Sequence, residues 1–353
     1  MSADTLDALG GWPAVLGPLT SGSDLTAAEA GAAMAEILDG AATPSQIAGF
    51  IVALRMKGET VEELTGLVGA MFAVAEVVPL ADPASVIDIV GTGGDRAHTI
   101  NVSTLAALVV AGAGAKVCKH GNRAASSSCG TADVLEALGV VIDLGPEGVA
   151  RCVDEAGMGF CFAPRFHPAM RHAGPTRREL GVPTVFNFLG PLANPGRVGR
   201  HLVGVADPAM ADRMIRVLAA NGAARAYVVH GDDGLDELTT TTTSTVLEIR
   251  DGEVGTFSVD PAALGLQPAK PGDLRGGDAT HNAALARAVL AGDAGPHRDV
   301  VVLNAGAGLV VAGLADDLAA GVALAGATID SGAAAAALDR VVAVSHAARP
   351  AEP

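Results

Sequence analysis

The stretch SVIDIVGTGGD, residues 85–95, constrains the fold more than any other. An apolar run of strand character stops at three closely spaced glycines, which predicts a buried strand with a sharp turn at its end. Beyond it the pattern alternates: a helix over 101–112, a strand near 115–118, a helix over 131–138, a strand over 140–143 and a helix over 146–156. Further strands are expected at 201–205, 226–230, 245–249 and 298–306. An Ala/Gly-rich helical tail follows over 307–345, its apolar run broken by Asp316 and Asp317. Strands separated by helices assemble into a largely parallel sheet covered on both faces.

Upstream of this region only helical signals occur. Over 24–78, apolar residues recur every three or four positions. Thr43 is placed to cap a helix that opens on Pro44, Thr60 and Glu63 have capping-box spacing, and Gly40 marks a stop. The segment from Pro79 to Pro83 separates the two patterns.

Composition narrows the partners. Formal charge is −16, which disfavours a nucleic-acid or anionic-membrane surface and requires any anionic ligand to meet a local basic pocket. Aromatics make up 3% of the chain, so the core must be built mainly from Ala, Val, Leu and Ile. Cys118, Cys129, Cys152 and Cys161 show no CxxC spacing and read as reduced, structural thiols of a cytosolic chain. The N-terminus lacks a basic segment followed by an apolar run, and STLAALVVAGAGAKVC falls short of the roughly 20 residues of a membrane span. A soluble, cytoplasmic protein is expected.

Four segments carry chemistry. In DIVGTGGDRAHTINVST, residues 88–104, the glycines bring backbone N–H groups to a helix start, an arrangement suited to anions. Taken alone it is equally an ordinary strand-to-helix turn. A dinucleotide fingerprint counted from Gly91 and Gly93 needs glycine at 96, where Arg96 stands, and a P-loop needs a Gly-Lys pair that the chain lacks. Thr99, Asn101, Ser103 and Thr104 add hydrogen-bonding side chains.

The second segment, VCKHGNRAASSSCGTAD at 117–133, places Lys119 and Arg123 beside hydroxyls and bare backbone. Lys119 is a point charge suited to phosphate and Arg123 a planar fork. Cys118 belongs to an apolar run, so this loop falls at a strand end, where parallel sheets bind ligands. The alternative is a solvated basic loop.

The third, VVHGDDGLDELT at 228–239, holds Asp232, Asp233, Asp236 and Glu237, hard carboxylates of the kind that bind Mg²⁺ beside phosphates. The fourth, 163–195, concentrates Arg165, His167, Arg171, His172, Arg177 and Arg178, among which an arginine suits an organic carboxylate. Plain surface charge explains either segment equally well in isolation.

GTGGD, NVST, KHGNRAASS and GLDE in this order, with GGDATHNAALARAVLAG and TIDSG near the end, resemble the anthranilate phosphoribosyltransferase family of the nucleoside phosphorylase/phosphoribosyltransferase group. The resemblance spans nearly the whole chain. It implies transfer of the phosphoribosyl group of phosphoribosyl pyrophosphate to the amine of anthranilate, a step of tryptophan biosynthesis, by a cytoplasmic homodimer. It further implies that Gly91, Gly94, Asp95, Thr99, Asn101, Val102, Ser103 and Thr104 line the donor site. Lys119, His120, Gly121, Asn122, Arg123, Ala124, Ala125, Ser126, Ser127 and Thr131 complete it. Anthranilate would meet Gly91, Asn122 and Arg177, and Ser103, Asp236 and Glu237 would hold Mg²⁺, as two ions. An aromatic amine is already neutral at pH 7, so no catalytic base is assigned; His120 is the candidate for a proton relay. Arg96 departs from the glycine that many relatives carry after GTGGD.

The expected architecture is a small all-helical domain, residues 1–80 with a returning segment near 167–185, and a large α/β domain over the remainder of 81–353. The competing readings are a pyrimidine nucleoside phosphorylase, whose phosphate motif KHGNRAASS does not match, and a non-catalytic relative that binds nucleic acid, which the acidic charge opposes.

Overall fold

Three capping boxes organise the first third of the chain in the computed structural model, which describes residues 5–124 and 128–349. Thr26 with Glu29, Thr43 with Gln46 and Thr60 with Glu63 each exchange side-chain and backbone hydrogen bonds, opening helices Ala27–Asp39, Pro44–Lys57 and Val61–Val74. A further helix, Gly11–Thr20, precedes them. Glu63 is fully buried. Its carboxylate accepts from the Leu25 and Thr60 amides at 2.9 and 2.8 Å and from Lys57 at 3.0 Å, so one acid ties two helix starts to a lysine. The segment Pro168–His172 and helix Gly174–Leu180 return to this layer. Ala173 and Val185 share its apolar cluster with Met34, Phe50 and Leu67.

The large domain is built on seven strands: β1 Ile87–Gly91, β2 Val117–Gly121, β3 Met158–Phe162, β4 Arg200–Gly204, β5 Arg225–Gly231, β6 Ser244–Arg250 and β7 Glu253–Val259. Their order is β3-β2-β1-β4-β5-β6-β7. The first five are parallel, and β6 and β7 add an antiparallel edge. The chain winds outward from β1 to β3, then crosses back to β4. The strand order therefore reverses between β1 and β4, where open α/β sheets place their ligands.

Alternation along the strands fills both faces. Ile89 and Leu202 pack with helices Val102–Gly112, Pro296–Ala312 and Ala333–Ala348. Val90 and Val203 face helix Pro208–Ala220 and the N-terminal helices. All four cysteines are buried, and the sulfurs of Cys118 and Cys161 lie 3.4 Å apart across β2 and β3. No single helix among the described residues is long and apolar enough to cross a membrane.

Two expected strands are absent. Residues 298–306 lie inside helix Pro296–Ala312, every residue of which from Val300 onward is buried. A short apolar run gives no period when all its sides are covered, and its valines pointed to a strand. Asn304 marks the helical turn: its amide donates to the Val300 carbonyl at 2.9 Å and also bridges both backbone groups of Leu238. Residues 140–143 form no strand and lead into helix Pro146–Ala156. The strand that joins the sheet there is β3, which sequence reading missed along with the exposed edge strand β7. Asp317 does more than interrupt the tail, because its carboxylate caps helix Leu318–Asp330.

Candidate active site

β1, β2, β4 and β5 all end in glycine, and a cavity of about 330 Å³ opens at the ends of β1 and β2, lined by Gly91 and Gly121. Its walls are the loops that follow β1, β2 and β5. Two of the glycines are needed because Asp236 lies directly upon them. A Cβ on Gly91 would stand 2.3 Å from the Asp236 carboxylate, and one on Gly204 would stand 1.7 Å from the Asp236 carbonyl oxygen. The acidic loop is thus laid across the bare ends of β1 and β4.

Asp236 and Glu237 are 8% and 7% exposed. The Gly93 amide donates to Asp236 at 2.6 Å and the Ser103 amide to Glu237 at 3.2 Å. Burial first, and then Asp95 within hydrogen-bonding reach, raises the Asp236 carboxyl far above the usual range. Burial and then Asp236 do the same to Glu237. Three acids therefore crowd a low-dielectric pocket, an arrangement that calls for a bound cation. Among the described residues no three His, Cys, Asp or Glu side chains form a ready metal cage. Two carboxylates backed by amides nevertheless fit Mg²⁺, which is commonly held by one or two acids plus water and phosphate. Asp232 and Asp233 do not join them. Their carboxylates are taken by Thr243 and Thr245 and by Thr239 and Thr241, so they fold the threonine run into its turn.

The glycine loop lines the cavity with Gly91, Gly94, Asp95, Thr99, Asn101, Val102 and Ser103. Val102 is buried. Asn101 fastens the walls together. Its amide donates to the Cys129 carbonyl at 3.1 Å and its oxygen accepts from Asn282 at 2.9 Å. Thr104 is buried behind the wall, 3.5 Å from Thr131.

The second loop lines the cavity with Gly121, Asn122, Arg123, Ala124 and Thr131. Asp133 pins this loop. Its carboxylate accepts from the amides of Ala124 and Gly130 at 3.0 and 2.9 Å and pairs with Arg123 at 2.8 Å. Arg123 also pairs with Glu136 at 2.9 Å through the same Nη1, so two acids sit on one end of its fork while the residue remains in the cavity wall. Ala125, Ser126 and Ser127 lie outside the described residues.

Lys119 is placed differently from the loop residues. Its side chain is fully buried, and the ammonium donates to the Ile89 carbonyl instead of facing the cavity. Burial lowers its pKa, opposed chiefly by Asp88 and then by Glu237. Residues alternate across the sheet, and residue 119 falls on the same face as the buried Val117. His120 is likewise absent from the cavity wall. Its backbone N–H donates to Asp88 at 3.1 Å, its Nδ1 lies 3.0 Å from the Gly190 carbonyl, and its Nε2 is buried without a partner. Burial, and then His167 at a ring distance of 5.1 Å, holds its pKa down to about 3. The ring is therefore neutral and stands outside the cavity wall.

Arg177 stacks on Phe186, 5.0 Å from the ring centroid, and is not part of the cavity wall, whereas Asn187, next to Phe186 in the chain, lines it. Sequence reading missed Asn187, Asn282 and the pinning role of Asp133. Asn187 stands in the segment marked by its arginines and Asn282 in one of the family motifs, and nothing local marked their contacts.

Sequence models of two glycosyl transferase family domains match the chain: the helical bundle domain over residues 13–75 and the a/b domain over residues 83–335. An anthranilate phosphoribosyltransferase of Arthrobacter sp. is 58% identical over 95% of this chain and 96% of its own length. The chain belongs to the anthranilate phosphoribosyltransferase family. One from Acidothermus cellulolyticus is 57% identical over 99% of this chain and 98% of its own length. Among solved structures, the anthranilate phosphoribosyltransferase of Thermus thermophilus superimposes with a TM-score of 0.89 at 44% identity, covering 94% of this chain and 99% of that one. The Saccharomyces cerevisiae enzyme, solved in complex with PRPP and Mg, gives 0.87 at 28% identity, covering 95% and 98%. As in the family, a helical bundle stands beside an a/b domain.

Proposed function

We infer that this protein transfers the phosphoribosyl group of 5-phosphoribosyl 1-pyrophosphate to the amine of anthranilate, giving N-(5-phosphoribosyl)anthranilate and pyrophosphate in tryptophan biosynthesis. The observation that carries the reading is the buried acid pair Asp236–Glu237 held across the ends of β1 and β4, facing two backbone-rich loops. The high identity to relatives of that name supports it.

Displacement at C1 of the ribose develops positive charge on the sugar and negative charge on the departing diphosphate, so alignment and electrostatics supply the catalysis. The amides of the GTGGD turn and of the loop after β2 receive the donor's anionic oxygens. Ser103, Asp236 and Glu237 hold Mg²⁺, taken as two ions, which neutralises the diphosphate as it leaves. Asn122, on the exposed lip of the cavity, and Gly91 meet the acceptor. Arg177 pairs with its carboxylate once the helical layer carrying Phe186 and Asn187 closes on the sheet. In this arrangement residues 1–80 with the segment near 167–185 move as the small domain against the rest of 81–353, and the helical face pairs two copies in the cytoplasm. No side chain need act as a general base.

Anthranilate fluorescence measured with phosphoribosyl pyrophosphate, with and without Mg²⁺, tests the proposal. A Mg²⁺-dependent loss is expected, and its absence sinks the reaction. Phosphorolysis of thymidine or uridine in its place would move the protein to the nucleoside phosphorylases.

A further inference from the structure

Two arginines line the cavity, Arg96 and Arg123, and of the two only Arg96 has no acid partner among the described residues. Arg123 is neutralised by Asp133 and Glu136. Lys119 is sealed against the Ile89 carbonyl, and Arg177 is stacked on Phe186. Arg96 is exposed, and among the described residues it has no hydrogen-bond or ion-pair partner. Its backbone takes φ +60°, a left-handed conformation that side chains disfavour. Asp95 fixes that conformation by accepting from the Ala97 amide at 3.1 Å, with Arg96 in the middle of the turn. Asp95 also reaches Asp236. The free guanidinium is therefore anchored one residue from the acid cluster, on the side of the cavity where a divalent cation would gather phosphate oxygens.

We propose that Arg96 binds the diphosphate end of the donor and sets donor affinity in this chain. The guanidinium fork matches two oxygens of a phosphate group. A ribose 5-phosphate group lies at the other end of the donor, away from the acid cluster, and falls outside its reach. The proposal rests on the phosphoribosyl-transfer reading.

Calorimetric titration of inorganic pyrophosphate with Mg²⁺ tests it without turnover, ribose 5-phosphate serving as the second probe. Arg96→Gly should fold, since glycine prefers this φ. It should weaken pyrophosphate by about tenfold or more, the weight of one hydrogen bond to a charged group, and leave ribose 5-phosphate unchanged. Arg96→Lys should fall between, keeping the charge without the fork. Equal pyrophosphate affinity with and without Arg96, equal loss of both probes, or a wild type that binds no pyrophosphate overturns the proposal. A wild type that binds pyrophosphate through Arg96 but leaves anthranilate untouched keeps this role and sinks the reaction. One that consumes anthranilate with an indifferent Arg96 does the reverse.

Discussion

The carboxylate of Asp236 accepts a 2.6 Å hydrogen bond from the amide of Gly93, a residue 143 positions earlier in the chain. That bond joins the loop after β1 to the loop after β5 and sets both against the same cavity. It also leaves a buried acid with little compensating charge.

Replacing Asp236 and Glu237 with Asn and Gln should separate chemistry from folding. Each variant should lose roughly 100-fold or more in kcat/KM, as expected when a charge-stabilising group of the transition state is removed. Neither should melt below the wild type in metal-free buffer, because the substitution removes a buried charge with an unfavourable environment. Mg²⁺ should raise the wild-type melting temperature and leave the double variant unmoved. Scanning calorimetry with and without the ion checks both statements.

Gly204→Ala should act at a distance. Its methyl would collide with the Asp236 carbonyl, so the acidic loop must lift. A displacement of about 1 Å at a reacting centre costs on the order of 100-fold. The loss should appear in steady-state assays together with a higher Mg²⁺ requirement, while circular dichroism shows an intact fold. Normal Mg²⁺ dependence in a soluble Gly204→Ala would show that the loop does not need this floor.

Arg177→Ala should raise KM for anthranilate by about tenfold or more, as loss of one charged pairing predicts, with KM for the donor nearly unchanged. Equal damage to both substrates would place the carboxylate clamp elsewhere. Arg178, exposed on the same helix, is then the first substitute to examine.

His201 should dominate part of the acid sensitivity. It is buried, its Nε2 lies 2.9 Å from the Val198 carbonyl, its Nδ1 has no partner, and burial lowers its pKa to about 4. A depressed folded pKa favours the neutral ring. The stability it contributes is therefore complete above the unfolded value near 6.5 and is lost as pH falls toward 4. His120 works in the same direction over a wider range, toward 3. Urea titrations should show His201→Gln losing roughly 2 kcal/mol less than the wild type between pH 7 and pH 4.5. Parallel pH profiles would refute the assignment.

What the sequence disclosed depended on how local the cause was. The Thr43 and Thr60 caps are decided by neighbours three residues away, and they stand where expected. The parallel strands from β1 to β5 followed from apolar runs ended by glycine, apart from β3, whose MGFCF mixes types. Helix Pro296–Ala312 was misjudged because uniform burial erases the periodicity that distinguishes helix from strand. At the site, backbone-rich motifs identified their own location. The partners of each cation did not follow, because Arg123 meets Asp133 and Glu136, ten and thirteen residues on, and Lys119 meets the Ile89 carbonyl on the neighbouring strand.

Gly91 and Gly204 are register partners on neighbouring strands. The first belongs to a conspicuous motif, whereas the second ends HLVG, which attracts no notice when the sequence is scanned. A chain that keeps GTGGD but carries a side chain at the second position could not seat its acidic loop. That quiet glycine is therefore a sharper marker of a decayed gene copy than the motif itself.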